Sequence, residues 1–590
     1  MTALPSKVNN PVTHDVLIEN DVEATMRDGV VLRSTIYRPN AGGRFPVLLT
    51  RTPYGRDLAV NSGYLNPTTV AAGGFVVIMQ DVRGRFGSEG EFVPSENEGP
   101  DGYDTVQWAA ELPYSTGSVG MWGRSYFAET QWRAAQEKPP ALRGIAPGIS
   151  AGGNARSGGL VRGGAVEFGA RLGWGHFSAG PAEIAKLSRT DPARAEADWE
   201  SWARIDRAMS ENTYFDTLPL RDLAADAPAF FASPIVESLG FPIDHPTRDL
   251  WDCASDRAVD LPSLHIGGWY DIFVNSTLDQ YFGQLAHSDS GAAPAPYLIV
   301  GPWSHTNFSG LGGSVVFGSP ANQAVLDCGQ DLSSVHAQWY ASVLGDEEPD
   351  LPRVRIFVMG ENRWRTYDRF PEPVRTAELF LAPGGILVAE AEQTEGCVDY
   401  DYDPADPVPT VGGATMMPGT FAPGALDQSR IESRDDVLVF TGAVLTEPVT
   451  VIGRVSATLF ASSSAVDTDF VVRLCRVTAD GTSVTLTDGM VRARYRDSYR
   501  TPGTYTSAEP SLLEPGEVYE YAIDLWSTAV TFLPGERIRV HVTSSSHPRW
   551  DRNLNTGESA FDSAEFVVAH QRVHTGARYP SRVSLALPHP

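Results

Sequence analysis

The strongest chemical signal in the sequence is a serine at a predicted turn between a strand and a helix. An apolar segment runs into Gly123-Arg124-Ser125-Tyr126-Phe127, and a helical pattern follows. A serine at such a turn is raised clear of the sheet, and the next backbone N–H can help to bind an oxyanion. The usual G-x-S-x-G pattern ends here in Phe127, and a serine that only caps a helix would look the same. Locally, Ser125 is therefore either a nucleophile or a helix cap.

Two further residues stand where a Ser-His-Asp triad needs them. In an α/β sheet the acid follows one of the later strands and the histidine follows the last. Asp271 comes after the strand pattern LHIGG, and His305 comes after YLIVG. We expect His305 to accept the Ser125 proton and Asp271 to orient the imidazole. The alternative is that Asp271 caps the next helix and His305 is a loop residue.

Aromatic residues provide candidates for the rest of a site. Tyr54 lies in the segment RTPYG (51–55), after a predicted strand, and its hydroxyl could be a second oxyanion donor. The alternative is an aromatic side chain packed beside a proline turn. Trp174 and Phe177 could line an acyl pocket, although packing in a core is the commoner role of aromatic side chains.

The elements that must position these residues begin as an α/β pattern. FPVLLT (45–50) and GFVVIMQDV (74–82) are continuous apolar runs, typical of strands covered by helices on both faces. Helical windows replace strands over 155–255, and LPSLHIGG (261–268) then restores the first pattern. We predict an α/β domain formed by residues 1–150 and 259–350, with a helical cap inserted at 151–258.

The remaining residues, 351–590, alternate strands with turns and contain almost no helical pattern. The first of these strands reads RVRIFVMG (353–360), and the last long one reads RIRVHVTSSS (537–546). Such spacing predicts an all-β sandwich, which we expect to be a jelly roll.

Composition and missing motifs exclude several classes of function. The chain has 46 Lys+Arg against 73 Asp+Glu, a net charge of −27, which repels nucleic acid. There is no Walker loop, dinucleotide fingerprint or HExxH motif, so we expect no cofactor and no metal. The four cysteines show no CxxC spacing, and we expect them to be thiols. No window is apolar enough to predict a membrane segment, so we expect a cytoplasmic protein whose oligomeric state is open.

Seven motifs make the chain resemble the CocE/NonD hydrolases, the group of cocaine esterase and X-Pro dipeptidyl-peptidase. They occur in the family's order and span nearly the whole chain. The motifs are RTPYG (51–55), QDVRGRFGSEGEF (80–92), GMWGRSYF (120–127), GGWYDIFV (267–274), GPWSH (301–305), FVMGENRWR (357–365) and SSSHPRWDRNLNTG (544–557).

The resemblance implies an α/β-hydrolase domain with a helical cap between its sixth and seventh strands, and a C-terminal jelly roll over the active site. It implies that Ser125 is the nucleophile, His305 the base and Asp271 the orienting acid. It also implies that the hydroxyl of Tyr54 and the backbone N–H of Tyr126 form the oxyanion hole.

The resemblance extends to the acyl pocket, with two departures. Phe273 and either Met416 or Met417 resemble pocket positions. The family commonly has glycine where this chain has Ala128, which should only tighten the packing under the turn. The segment from Gly159 to Trp174 keeps one pocket tryptophan and lacks another found in cocaine esterase, so cocaine itself is not the expected substrate.

Our main hypothesis is a serine hydrolase that cleaves a small-molecule acyl ester, or an amide, through an acyl-enzyme. A second hypothesis is an X-Pro dipeptidyl-peptidase or an acylase of α-amino acyl or β-lactam compounds. These enzymes need a carboxylate for the substrate's ammonium group, and Glu167 and Glu183 are candidates in the cap. The same sequence is also compatible with a transacylase and with a non-catalytic binding protein.

Overall fold

The computed structural model describes residues 14–59, 64–150, 156, 160–245, 259–326 and 330–589. Gly159 and two of the predicted thiols, Cys253 and Cys328, lie outside these residues, as does part of the predicted cap. Within the described ranges, no helix combines the length and the apolar character that crossing a membrane requires.

The first part of the chain forms six strands and four helices. The strand β4 is buried at every position, which explains its continuous apolar sequence: helices or loops cover both of its faces. In chain order the elements are β1 (Val16–Thr25), β2 (Val31–Pro39), β3 (Phe45–Thr52), α1 (Arg56–Ala59), α2 (Pro67–Ala72), β4 (Val76–Asp81), α3 (Glu98–Glu111), β5 (Ser115–Arg124), α4 (Tyr126–Gln136) and β6 (Leu142–Gly148).

A helical insertion follows β6, as predicted. Its apolar core includes Phe168, Leu172 and Phe231 and is shared with Leu554 and Ala560 of the C-terminal region. It opens with a short hairpin that the sequence pattern did not reveal, because each strand has only two residues. The elements are β7 (Val161–Arg162), β8 (Ala165–Val166), α5 (Phe168–Gly173), a π-helical turn (Trp174–Ala179), α6 (Gly180–Leu187), α7 (Pro192–Ser210) and α8 (Ala229–Phe231), followed by short turns as far as Leu239.

The chain then returns to the first sheet, which has ten strands in the order β1-β2-β4-β3-β5-β6-β9-β10-β13-β14. The strands from β4 to β13 in this order run parallel, so their carboxyl ends share one edge. The added elements are β9 (Leu264–Tyr270), α9 (Val274–Asp289), β10 (Tyr297–Ser304), β11 (Leu311–Gly312), β12 (Val315–Val316), α10 (Leu332–Val343), β13 (Val354–Val358) and β14 (Arg363–Tyr367).

The position of β13 corrects one prediction. We expected the strand at 353–360 to open the sandwich, but it pairs with β10 in the first sheet. Met359, the next residue, forms a parallel bridge to Val530 of the second sheet. The segment therefore links the two sheets, and a run of buried apolar residues does not reveal which sheet it joins. The predicted domain limits themselves stay predictions.

The second sheet contains eleven strands and forms the predicted all-β domain. Its order is β17-β24-β19-β25-β15-β16-β18-β23-β20-β21, with β22 pairing to β19. The elements are β15 (Arg375–Ala382), β16 (Ile386–Val388), β17 (Gly396–Tyr402), α11 (Ser429–Glu432), β18 (Leu438–Thr441), β19 (Val449–Ser463), β20 (Asp469–Val477), β21 (Ser483–Arg492), β22 (Tyr519–Phe532), β23 (Arg537–Thr543), β24 (Ala569–Thr575) and β25 (Arg582–Leu587).

Buried charges join the insertion to the all-β domain. Glu167, just before α5, accepts hydrogen bonds from Trp550 Nε1 at 3.0 Å and from Arg549 Nε at 3.4 Å. Arg549 also donates to Asp488 at 2.7 Å, and Arg162 lies 3.1 Å from Glu167. Burial raises the pKa of Asp488, but the neighbouring guanidinium groups outweigh burial and hold that pKa below its usual value. Burial also lowers the pKa of Arg162 to about 9. The insertion and the all-β domain are thus joined by a cluster of buried ion pairs.

We expect Arg549→Met to lower the apparent melting temperature strongly, because it removes the cation that two buried carboxylates, Glu167 and Asp488, share. The loss of stability should be about 3 to 5 kcal/mol. Arg572→Met is the control, since Arg572 pairs with Asp399 on the surface, where both side chains are partly exposed. Differential scanning fluorimetry of both variants tests this expectation, and equal shifts would contradict it.

Candidate active site

Ser125 occupies a strained turn between β5 and α4. Its φ is +58° and its ψ is −126°, and its backbone N–H donates to the Gly148 carbonyl at 2.9 Å. Gly123 has a φ of +133°, and a Cβ there would lie 2.5 Å from Cβ of Phe127 and 2.9 Å from Oγ1 of Thr50. Only glycine fits this position. The tight turn places the Ser125 side chain beyond the end of β5.

His305 and Asp271 lie close to Ser125. His305 Nε2 is 2.9 Å from Ser125 Oγ, and His305 Nδ1 is 2.7 Å from Asp271 Oδ1. Asp271 is fully buried and His305 nearly so. An N–H on Nδ1 faces the carboxylate, which leaves Nε2 to accept the serine proton. The three residues follow β5, β9 and β10, whose carboxyl ends meet at one edge of the sheet.

Tyr54 lies in the loop after β3, on the same edge of the sheet. Its backbone N–H donates to Thr52 Oγ1 at 3.0 Å, and its hydroxyl oxygen accepts from Trp174 Nε1 at 3.0 Å. Burial raises the pKa of Tyr54 to about 12, although hydrogen bonding with Trp174 and Ser125 acts in the opposite direction. The phenol therefore stays protonated at neutral pH and remains a donor.

Tyr126 is the first residue of α4, so its backbone N–H precedes the hydrogen-bond ladder of the helix. Its side chain is fixed by a network that the sequence did not reveal. The hydroxyl donates to Glu98 Oε1 at 2.9 Å and accepts from the Ser95 N–H at 2.9 Å. Glu98 in turn pairs with the buried Arg51 at 2.9 Å. These contacts hold the first turn of α4, and with it the Tyr126 N–H, in one place.

A small cavity opens beside Ser125. Its volume of about 50 Å³ corresponds to roughly one or two waters. The ring of Phe273 meets the His305 imidazole edge-on, with 5.2 Å between centroids. Most of the lining side chains are apolar. The full set of described lining residues is Tyr54, Ser125, Tyr126, Leu160, Ala170, Arg171, Trp174, Ile235, Ile272, Phe273 and Met416.

Three of the five predicted pocket residues, Trp174, Phe273 and Met416, line this cavity, and two do not. Phe177 is 45% exposed and packs edge-on against His176. Phe177 is three residues after Trp174 in a π-helical turn, which is wider than an α-helical turn. The two side chains therefore do not lie on the same face. Met417 faces Gly169 of α5, where an added Cβ would lie 2.8 Å from its sulfur.

Five lining residues were missed by sequence reasoning. Ile272 could have been found, because it lies between Asp271 and Phe273. The others come from the insertion, whose short helices and turns carry no periodic signal that predicts which side chains face the site. These are Leu160, Ala170, Arg171 and Ile235.

The two acidic residues suggested as ammonium partners lie elsewhere. Glu167 belongs to the buried cluster with Arg549. Glu183 pairs with Arg85 at 2.6 Å. Among the described residues that line the cavity, Arg171 is the charged one, and its Nη2 donates to Ser238 Oγ at 2.5 Å. The described lining therefore offers a cation and no carboxylate.

Comparison with known proteins finds a matching family model for each half of the chain. A family model described as X-Pro dipeptidyl-peptidase (S15 family) matches residues 28–307. A model described as the X-Pro dipeptidyl-peptidase C-terminal non-catalytic domain matches residues 349–584. The chain is 37% identical to the cocaine esterase of Rhodococcus sp. (strain MB1 Bresler), over 97% of this chain and 98% of that protein.

Two solved structures show the same architecture. An aminopeptidase from the marine sediment archaeon Thaumarchaeota archaeon is 26% identical, with a TM-score of 0.76 over 100% of this chain and 99% of that one. An α-amino acid ester hydrolase is 24% identical, with a TM-score of 0.74 over 100% and 99% of the two chains. At that level of identity the second likeness concerns the fold alone.

We expect Gly123→Ala to slow covalent labelling of Ser125 by a fluorophosphonate by about a hundredfold, because the added Cβ displaces the turn. Gly117→Ala is the matched control: its φ is also positive, at +88°, but no heavy atom lies within 4 Å of the added Cβ. Labelling rates of the two folded variants give the comparison. Normal labelling of Gly123→Ala would contradict the role assigned to this glycine.

Proposed function

Because this chain belongs to the CocE/NonD family of serine hydrolases, together with cocaine esterase, we propose that it hydrolyses a small acyl ester through an acyl-enzyme. Membership of this family makes the protein an enzyme and removes the hypothesis of a non-catalytic binder. The observation that supports the proposal best is the hydrogen-bonded series Ser125, His305 and Asp271 beside an apolar cavity.

In the acylation step, Ser125 Oγ attacks the acyl carbonyl carbon and its proton moves to His305 Nε2. Asp271 accepts the Nδ1–H hydrogen bond and stabilises the imidazolium. The hydroxyl of Tyr54 and the N–H of Tyr126 donate to the carbonyl oxygen as it becomes an oxyanion. When the oxyanion collapses, the bond to the leaving alcohol breaks, and that oxygen takes the proton from His305.

In the deacylation step, a water molecule takes the place of the alcohol. His305 accepts a proton from the water as its oxygen attacks the acyl carbon. The second oxyanion uses the same two donors. Its collapse breaks the bond to Ser125 Oγ, which recovers the proton from His305, and a carboxylic acid is released. The free enzyme is thereby regenerated.

The cavity favours esters over the substrates of an aminopeptidase or an α-amino acylase. A substrate with a free ammonium group needs a carboxylate partner, and the described lining provides Arg171 instead. The small volume of the cavity suits a short, uncharged acyl chain. A transacylase uses the same acyl-enzyme with an alcohol or amine in place of water, so the products distinguish it from a hydrolase.

We expect the wild type to hydrolyse p-nitrophenyl acetate and butyrate and to leave Gly-Pro-p-nitroanilide intact. Ser125→Ala should lose at least about a thousandfold in kcat, whereas the control Ser118→Ala, in the same strand, should keep wild-type rates. Release of p-nitrophenol and p-nitroaniline measures both activities.

Three results of this assay would lead to different assignments. Cleavage of the dipeptide anilide would move the assignment to a peptidase. Ester formation with an added alcohol, at the expense of the free acid, would favour a transacylase. Full activity in Ser125→Ala would overturn the mechanism.

We expect Tyr54→Phe to lower kcat by about a hundredfold, near 3 kcal/mol, because one oxyanion donor is lost. Tyr114→Phe is the matched control, since its hydroxyl contacts Glu19 at 3.0 Å near the start of β5, remote from Ser125. Steady-state kinetics on p-nitrophenyl acetate compares the two variants. Unchanged turnover in Tyr54→Phe would remove this tyrosine from the mechanism.

A further inference from the structure

The hydroxyl of Tyr54 has one proton, and its direction decides whether the tyrosine can act as an oxyanion donor. A tyrosine hydroxyl can donate one hydrogen bond and can also accept. The indole Nε1–H of Trp174 can only donate, and it lies 3.0 Å from the Tyr54 oxygen. The Tyr54 proton therefore cannot point toward Trp174. It is left to point elsewhere, and the Ser125 side chain lies within hydrogen-bonding range of the Tyr54 hydroxyl.

The two partners come from different parts of the fold and are held together by Arg85. This side chain is 1% exposed. Its Nε–H donates to the carbonyl of Pro53, the residue before Tyr54, at 2.8 Å. Its Nη1 donates to the carbonyl of Ala179, the last residue of the turn that begins at Trp174, at 3.1 Å. One guanidinium thus fixes the spacing between the tyrosine loop and the tryptophan turn.

The other end of this segment is anchored to the all-β domain. Trp174 directly follows α5, and Glu167 stands at the start of that helix in the buried cluster. In addition, the N–H of Gly169 donates to the Pro548 carbonyl at 2.9 Å. The indole therefore extends from a segment that is held on one side by Arg85 and on the other by the second sheet.

We propose that Trp174 is a positioning residue for catalysis: its indole N–H occupies the Tyr54 oxygen and leaves the hydroxyl proton directed at the oxyanion. This rests on the proposed function of Tyr54. A hydroxyl oriented before the reaction does not have to rotate as charge develops, which is the condition for strong electrostatic stabilisation. The Trp174 N–H also polarises the phenol, which strengthens the bond that Tyr54 donates. The inserted cap thereby takes part in building the oxyanion hole.

The test removes the indole N–H and keeps an aromatic wall in the cavity. We expect Trp174→Phe to lower kcat for p-nitrophenyl acetate by about tenfold and to leave KM within about twofold, because the contact acts on the transition state. Trp199→Phe is the matched control: Trp199 lies in the same insertion on α7, is 39% exposed, and should keep wild-type kcat. A loss that appears in KM alone would show that Trp174 is only a pocket wall and would overturn the proposal.

A double variant separates this inference from the function of Tyr54. If Trp174 acts through the tyrosine hydroxyl, Tyr54→Phe/Trp174→Phe should be no slower in kcat than Tyr54→Phe alone. If Tyr54→Phe is slow and the two losses multiply, the positioning role is wrong while the oxyanion role of Tyr54 stands. If Tyr54→Phe is as fast as the wild type, both fail. Melting temperature and complete labelling by a fluorophosphonate establish that each variant is folded.

Discussion

Ser125 adopts a positive φ in the tight connection between β5 and α4, and the rest of the site is arranged around this turn. Such a conformation costs on the order of 1 to 3 kcal/mol for a residue with a side chain. The surrounding structure compensates through the hydrogen bond to Gly148, the absence of a side chain at Gly123, and the packing of Phe127 over the turn. His305 and Asp271 need no comparable strain, because they follow neighbouring parallel strands whose ends already lie at the same edge.

The insertion and the all-β domain contribute to the site in a different way. They carry no member of the Ser125, His305 and Asp271 series, but they close the cavity and fix its walls. Trp174 and Met416 reach the cavity from these two units. The buried charges around Glu167 help to fix the relative position of these two units. Hydrogen bonds and ion pairs depend on direction, so they constrain this position in addition to apolar contact. Removal of one partner from a buried ion-pair cluster of this kind is strongly destabilising.

Much of the candidate site could be predicted from the sequence because its signals are local. Continuous apolar runs predicted the parallel strands, and the order of Ser125, Asp271 and His305 after them predicted which side chains would meet. The features that were missed depend on long-range packing. Nothing within VRIFV indicates that β13 pairs with β10, and the short turns of the insertion do not predict that Arg171 faces the cavity while Phe177 faces solvent.

Trp174 is both a wall of the cavity and the hydrogen-bond partner of Tyr54, and this double contact limits how the proposed acyl pocket can diverge. A smaller side chain at this position would admit a bulkier acyl group only by giving up the N–H that meets the tyrosine. Met416 and Ile235 line the same space, and the structure gives neither a hydrogen bond to Tyr54. Enlargement of the pocket by evolution or by engineering is therefore least costly at these two positions, while the tryptophan is retained.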